Sequence, residues 1–204
     1  MSEYRSFWQN AKIAIGLVAV LWIAFFLKYF NIVNEDAYGN WPRHIEGLKG
    51  IIFSPFIHGS IEHLVSNTLP ILVLLTVLLN AYPRVAFIVL VFIHLVSGLL
   101  VWLLAPPTGI HIGISGIIYG IAFFLIASGI FRRDRNAITI AILVALIYGG
   151  MLAGFIPQQG ISWQSHLYGA ISGVIIAFIV RGIDVPPPHE FEMEPKEEEK
   201  HFFE

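Results

Sequence analysis

The chain contains no cysteine among its 204 residues, and only 13% of its residues are charged. Without cysteine it can form neither a disulfide framework nor a thiolate zinc site, and it has no cysteine nucleophile. Its 12 lysines and arginines form no basic patch of the kind that binds nucleic acid. Apolar residues, by contrast, make up 56% of the chain, and the mean hydropathy is +0.74. Soluble domains are about 45–50% apolar and about 25% charged, so this composition indicates an integral membrane protein.

Six apolar segments are long enough to cross a bilayer, which takes about 20 helical residues. They are predicted at 13–33, 61–82, 85–104, 115–131, 137–156 and 163–180. We therefore expect an all-α, six-transmembrane-helix bundle over residues 13–183. A cytoplasmic segment at 1–12 precedes it, and an acidic, proline-bearing tail at 184–204 is predicted to be disordered. Residues 34–55 form the longest loop, and the weak amphipathicity of residues 45–53 predicts an interfacial helix there.

The basic residues are distributed unequally between the two sides of the predicted bilayer. Nine lie on the side of the N-terminus and three on the other; the nine are Arg5, Lys12, Arg84, Arg132, Arg133, Arg135, Arg181, Lys196 and Lys200, and the three are Lys28, Arg43 and Lys49. Cytoplasmic loops carry the excess of positive charge in membrane proteins. Both termini are therefore predicted to lie in the cytoplasm.

Three polar residues lie at nearly the same depth in the predicted bilayer. Counted from the arginine that ends each helix, Ser115 is 17 residues before Arg132, Asn67 is 17 before Arg84, and His166 is 15 before Arg181. At 1.5 Å per residue, these distances correspond to about 22–25 Å within a hydrocarbon core of about 30 Å. His63 lies one turn from Asn67 on the same helix face. Polar side chains are costly in lipid, so we expect these groups to face one another or water.

Ser115 and His166 are each followed by a pattern of small residues. Gly116-x-x-x-Gly120 follows the serine, and Gly169-x-x-x-Gly173 follows the histidine. Such patterns allow two membrane helices to approach closely, and this approach would bring the serine to the histidine. A hydroxyl beside a base is the minimum requirement for nucleophilic acyl transfer.

The remaining requirements of such a site are donors for an oxyanion and a group that orients the base. The Asn67 amide, the His63 ring and the Ser115 backbone N–H are the available donors. No aspartate lies at the depth of His166. We therefore predict a Ser–His dyad whose imidazole is oriented by packing, with Tyr119, one turn along the helix from Ser115, as the candidate.

Each of these polar residues also has a purely structural explanation. Serine is a common helix N-cap, and an isolated histidine or asparagine in a membrane helix often makes an interhelical hydrogen bond. We assign His94 to that class, and we give no function to the remaining histidines, which are His44, His111, His189 and His201. Glu62 lies about 100° around the helix from His63, so a solvated position is expected for it rather than a catalytic one.

Three motifs together resemble those of the rhomboid family of intramembrane serine proteases. They are Gly113-Ile114-Ser115-Gly116 with Tyr119, His58-x4-His63-x3-Asn67, and His166-x2-Gly169-x3-Gly173. They occur in the family's order, and the six predicted helices are all covered. Two departures are Ile112, where many bacterial members have glycine, and Trp41-Pro42-Arg43, which only loosely matches the family's first-loop signature.

The resemblance implies a role for each matched residue. Ser115 would be the nucleophile and His166 the base, while His63 and Asn67 would form the oxyanion hole. Tyr119 would stack on His166, and His58 would support a water-filled cavity. The family cleaves membrane-embedded substrates, usually single-span proteins, so transmembrane proteins are the expected partners. The expected location is the bacterial inner membrane, with the active site toward the extracytoplasmic side, and no cofactor or metal is expected.

Other classes of membrane protein fit the residues less well. A zinc protease would need His-Glu-x-x-His, and an aspartyl protease would need two intramembrane aspartates; the chain has neither. A catalytically silent rhomboid-like protein that binds membrane clients is the main alternative, although such a protein would be expected to lack the serine or the histidine. A small transporter would show paired broken helices in two repeated halves, which are not evident.

Overall fold

The computed structural model describes residues 5–158 and 160–184. In chain order its α-helices are α1 (Phe7–Tyr29), α2 (Glu35–Tyr38), α3 (Gly50–Phe53), α4 (Ile61–Ala81), α5 (Ala86–Leu104), α6 (Ser115–Arg132), α7 (Arg135–Tyr148) and α8 (Trp163–Ile179). Short 3-10 segments occur at Ile45–Lys49, Ser54–Phe56 and Gly149–Phe155. The predicted tail, with His189 and His201, lies outside the described residues apart from Asp184.

Five helices in the described part of the chain are long and apolar enough to cross a membrane. They are α1, α4, α5, α6 and the continuous segment Arg135–Phe155, which contains α7. The apolar helix α8 is shorter, at 17 residues. These six elements confirm the predicted all-α bundle. The first begins at Phe7 rather than Ile13, because Ser6 and Gln9 form a capping box that starts the helix earlier.

Helix α6 is the central element of the bundle. It packs against α4, α5, α7 and α8. Of the most apolar 18-residue stretch of α6, 67% is buried inside the protein, compared with 6% of the corresponding stretch of Arg135–Phe155. The outer helices therefore turn most of their apolar surface outward, as lipid contact requires. A residue at the N-terminal end of α6 is consequently surrounded by helices from most of the chain.

The closest helix pair is α6 with α8, and its contact is made by backbone. A Cβ atom at position 169 would lie 2.0 Å from the carbonyl oxygen of Gly116, and one at position 173 would lie 2.1 Å from that of Gly120. No side chain larger than hydrogen fits at these two positions. The two Gly-x-x-x-Gly patterns thus meet face to face, as the sequence predicted.

The loop between α1 and α4 folds tightly onto the rest of the molecule. Instead of one interfacial helix at 45–53, it forms a 3-10 turn followed by the short helix α3, which packs on α5. Cβ atoms at Gly47 and Gly50 would each lie 2.1 Å from a backbone oxygen of the same loop, which explains its compact path. Lys28, at the end of α1, donates hydrogen bonds to the His58 and Gly59 carbonyls and so fixes the entry to α4.

The opposite end of the bundle is held by a cluster around Arg132. Its guanidinium lies 2.9 Å from the Asp134 carboxylate, donates to the Asp184 carbonyl, and lies 4.8 Å from the centroid of the Tyr82 ring. The Asp184 carboxylate also accepts from the backbone N–H of Arg84 at 3.1 Å. Arg84 and Arg132 therefore mark the same end of the bundle, which is the assumption on which the depth comparison depends.

Candidate active site

Ser115 is the first residue of α6 and is 8% exposed. The loop before it turns at Gly113, whose φ of +100° is a conformation that residues with a Cβ rarely adopt. A Cβ at Gly113 would also lie 2.6 Å from Cε1 and 2.8 Å from Nε2 of His63. Glycine is therefore required here both for the backbone conformation and for the space that the His63 ring occupies. The ring consequently lies directly against the loop that leads into Ser115.

His166 lies in the first turn of α8 and makes two hydrogen bonds through its ring. Nε2 is 2.9 Å from the Ser115 hydroxyl oxygen, and Nδ1 is 2.8 Å from the Gly154 carbonyl oxygen. A carbonyl can only accept, so Nδ1 must carry the proton. In the neutral ring Nε2 is then an acceptor, and the Ser115 hydroxyl donates to it. The arrangement fixes the tautomer that can remove a proton from serine.

The Tyr119 ring covers one face of the His166 imidazole, with 4.1 Å between the ring centroids. Its hydroxyl donates to the Met151 carbonyl at 2.6 Å. Both rings require Gly154, because a Cβ there would lie 1.9 Å from the Tyr119 hydroxyl and 2.9 Å from His166 Nδ1. The 3-10 segment Gly149–Phe155 thus supplies the orienting carbonyl and the space that the stacked rings occupy.

These groups lie on one cleft of about 1340 Å³, which Ser115, His166, His63, Asn67, Tyr119 and Met151 help to line. Asn67 is 6% exposed, and its Nδ2 atom has no hydrogen-bond partner among the described residues. Asn67 thus brings a buried hydrogen-bond donor without a partner among the described residues to the same cleft as the serine.

His58 does not line the cleft but supports it from behind. The ring is fully buried and packs edge-on against His63, with 4.9 Å between centroids. Burial, together with the neighbouring His63, lowers the pKa of His58 to about 4. The ring is therefore neutral near pH 7 and adds no positive charge beside His63.

Sequence reasoning missed three contributions to this site. The Gly154 carbonyl orients His166, but a backbone carbonyl leaves no signal in residue type. Glu62 is exposed, as expected, yet it lines the cleft beside His63. His111 was given no function, yet it lines the cleft and its Nδ1 lies 2.5 Å from the Ser162 hydroxyl oxygen. Its position only four residues before Ser115 was the available signal.

Two other histidines behave as structural residues. His44 stacks on Trp41 with 4.0 Å between ring centroids. His94 was expected to make an interhelical hydrogen bond; its ring faces the Ile51 and Ile52 backbone of α3, while its buried Nε2 has no partner among the described residues. Within residues 5–158 and 160–184, no group of three or more histidines, cysteines or acids is arranged to hold a metal ion.

The fold and the cleft together define a multi-pass helical membrane protein with a hydrogen-bonded serine–histidine pair. The model of the rhomboid domain matches residues 45–183, which is more than half of the chain. The protein belongs to the rhomboid family, whose members are generally intramembrane serine proteases.

Relatives match a larger share of the chain than the family model does, at 81–85% of its length. An uncharacterized protein of Mycobacterium leprae is 39% identical over 185 residues, covering 85% of this chain and 72% of its own length. An uncharacterized protein of Mycobacterium tuberculosis is 36% identical over 177 residues, covering 81% and 73%. A Bacillus subtilis protein named as a candidate rhomboid protease, YdcA, is 23% identical over 180 residues, covering 81% and 85%.

Proposed function

We propose that this protein is an active intramembrane serine endopeptidase that works with a Ser115–His166 dyad. The observation that carries the proposal is the pair of hydrogen bonds at the His166 ring. A histidine that only filled space between helices would not require an unprotonated Nε2 that accepts a hydrogen bond from a serine hydroxyl. A general base requires that arrangement.

In the acylation step, the Ser115 oxygen attacks the carbonyl carbon of the scissile peptide bond while His166 Nε2 takes the hydroxyl proton. A tetrahedral intermediate with a negatively charged oxygen forms. His166 then gives the proton to the leaving nitrogen as the C–N bond breaks. An acyl-enzyme ester and a free amine result.

The oxyanion is stabilised in this proposal by the Asn67 amide, the His63 ring and the Ser115 backbone N–H. All three belong to the cleft or its edge, and two come from α4 rather than from the helices that carry the dyad. Donors fixed by separate helices do not have to reorganise as charge develops. Preorganised donors of this kind are a major source of rate enhancement.

Deacylation repeats the sequence with water as the nucleophile. His166 takes a proton from the attacking water and returns it to the Ser115 oxygen as the ester bond breaks. In both steps the imidazole carries a positive charge for a time. The Gly154 carbonyl and the face of the Tyr119 ring are placed to stabilise that charge.

The substrates in this proposal are transmembrane or membrane-anchored proteins whose scissile segment partly unwinds in the cleft. A helix hides its carbonyls in its own hydrogen bonds, so unwinding must precede attack. We place the protein in the bacterial inner membrane, with both termini in the cytoplasm and the cleft toward the extracytoplasmic side. Because the chain has no cysteine, single cysteines at Gly109 and Asn136 can test this orientation. An impermeant thiol reagent should reach them from opposite sides; labelling from the same side would refute it.

Cleavage of a single-span substrate by the purified protein in liposomes tests the function. Wild type should cleave and should react with a fluorophosphonate probe, whereas Ser115→Ala and His166→Ala should show no detectable turnover. The double variant should be no worse than either, because the two residues act as one unit. Ser172→Ala is the matched control, since this buried serine bonds within α8 to the Tyr168 carbonyl. A folded wild type that neither cleaves nor labels would favour the silent, client-binding alternative.

A further inference from the structure

A second set of polar contacts joins the serine's loop to the histidine's helix, about one helical turn from the dyad. His111 belongs to the loop before α6, and its Nδ1 lies 2.5 Å from the hydroxyl oxygen of Ser162. That oxygen lies 2.5 Å from the Ser165 hydroxyl. Neither serine belongs to the dyad, and neither is needed for the chemistry described above.

Ser162 is the N-cap of α8 and also contacts the base's backbone. Its side chain accepts from the Ser165 N–H at 3.4 Å, and its carbonyl accepts from the His166 N–H at 3.3 Å. One hydroxyl can donate one hydrogen bond and accept two. Donation to His111 Nδ1 and acceptance from Ser165 N–H and O–H would use that capacity fully. Ser162 thus links His111 to the start of the His166 helix.

His111 is itself fixed by backbone on its other side. It exchanges two hydrogen bonds of 2.9 Å with the backbone of Asn40, whose side-chain amide donates to the Gly98 carbonyl of α5 at 2.8 Å. Burial lowers the pKa of His111 to about 4, so the ring is neutral near pH 7. A rigid, neutral ring can hold Ser162 in one place.

We propose that His111 is a positioning residue for the dyad: through Ser162 it fixes the beginning of α8 and thereby the distance between Ser115 Oγ and His166 Nε2. The glycine contacts of α6 and α8 set how near the helices lie, but two smooth glycine faces do not by themselves fix the rotation or the axial position of α8. A polar contact at the N-cap of the helix fixes both. The inference rests on the proposed function.

The test compares variants that keep or move one ring nitrogen. Asparagine places its terminal amide near the position of histidine Nδ1, whereas glutamine places it near Nε2. His111→Asn should retain the contact with Ser162, and His111→Gln should lose it. The readout is the rate at which Ser115 reacts with a fluorophosphonate probe, together with kcat and KM for a transmembrane substrate and the melting temperature in detergent.

We expect His111→Gln and Ser162→Ala each to lower the labelling rate and kcat about tenfold or more, since small misplacements of reacting groups can cost up to about 10²-fold. KM should change little. The labelling rate and kcat of His111→Asn should stay within about threefold of wild type, because the contact with Ser162 is kept. The double variant His111→Gln/Ser162→Ala should be no slower than either single variant. Gly109→Ala, in the same loop with no atom within 4 Å of the added Cβ, is the control.

Three results would overturn the inference. They are unchanged labelling in both His111→Gln and Ser162→Ala, an Asn variant as slow as the Gln variant at equal melting temperature, and additive losses in the double variant. Should His111→Gln fail to fold, Ser162→Ala tests the same contact from the other side. A wild type that does not label would refute the proposed function, and this inference with it. A labelled wild type with unaffected variants refutes the inference alone.

Discussion

The ring of Tyr119 lies parallel to the ring of His166, with an angle of 4° between their planes. The tyrosine cannot turn freely, because its hydroxyl is bound to the Met151 carbonyl. The imidazole is therefore held on one face by a fixed ring and at one edge by the Gly154 carbonyl. Together these two contacts hold the His166 imidazole in one orientation and one tautomer, as a carboxylate holds the imidazole in a Ser-His-Asp triad.

Tyr119→Ala should lower kcat by about 10²-fold, because the imidazole loses the surface that defines its plane. Tyr119→Phe keeps the ring and loses only the hydrogen bond to Met151, which is worth about 1 kcal/mol, so its loss should stay below about tenfold. Steady-state cleavage of a transmembrane substrate distinguishes the two. If the phenylalanine variant were as impaired as the alanine variant, the hydroxyl rather than the stacked ring would be the important group.

Gly154→Ala should abolish most activity, because the new methyl group would occupy the space of the Tyr119 hydroxyl and press on His166 Nδ1. We expect a loss of at least about 10²-fold in kcat, from displacement of the base. Gly150→Ala lies in the same 3-10 segment and meets no atom within 4 Å. It should retain wild-type turnover. Equal losses in the two variants would mean that the segment needs glycine for its backbone, not for the space beside the rings.

Asn67→Ala should lower kcat by about 10²–10³, the usual cost of one oxyanion donor, and should leave measurable activity. The Ser115 N–H and the His63 ring remain as donors in this variant. Asn67→Asp preserves the shape but replaces the donor by an acceptor, so it should be at least as impaired at pH 7.5. Complete loss in a folded alanine variant, or full activity in the aspartate variant, would contradict the assignment of Asn67 as a donor.

Gly169→Ala should destabilise the protein, because its Cβ would meet the Gly116 carbonyl and force α6 and α8 apart. Overpacking of this kind costs about 1–3 kcal/mol in the free energy of unfolding. Thermal unfolding in detergent should show a lower melting temperature and a parallel loss of turnover. Gly16→Ala, in α1 with open space around its Cβ, is the control and should melt like wild type. Unchanged melting of Gly169→Ala would mean that the helix contact tolerates separation.

Acid should destabilise the fold in part through His58. Its pKa is about 4 in the folded protein and near 6.5 when unfolded, so between these values the unfolded chain binds the proton more readily. The stability that depends on a neutral His58 is fully present above about pH 6.5 and is lost as the pH falls toward 4. His58→Phe should therefore lose less stability than wild type between pH 7 and pH 5, as measured by melting temperature. An identical loss in both proteins would assign the effect to another group, such as His111.

The site was predicted by comparing the depths of polar residues on different helices. Counting residues back from Arg132 and Arg181 placed Ser115 and His166 at one level, and in the structure they are hydrogen-bonded. This worked because a membrane helix has a known rise and a known starting plane, so position in the chain converts into depth. The Gly-x-x-x-Gly patterns also predicted which faces of α6 and α8 are in contact.

The rest could not be predicted because it depends on backbone atoms and on loop paths. The Gly154 carbonyl comes from a segment that leaves α-helical geometry at Gly149, and no pattern of apolar residues marks that change. The pairing of Asn40 with His111 joins loops 71 residues apart in the chain, with no periodicity to relate them. His111 and Ser162 therefore received no role, although both line the cleft.

The carbonyl that orients His166 belongs to a wall of the cleft, and this has a consequence for the timing of the reaction. Movement of Gly149–Phe155 to admit a substrate helix would also withdraw Gly154 from Nδ1, and the base would lose its fixed tautomer for as long as the wall stood open. Entry and bond breaking would then be mutually exclusive in time. A substrate carbonyl that reaches the open cleft would meet a serine that is not yet activated, and attack on it would wait until the wall had closed again.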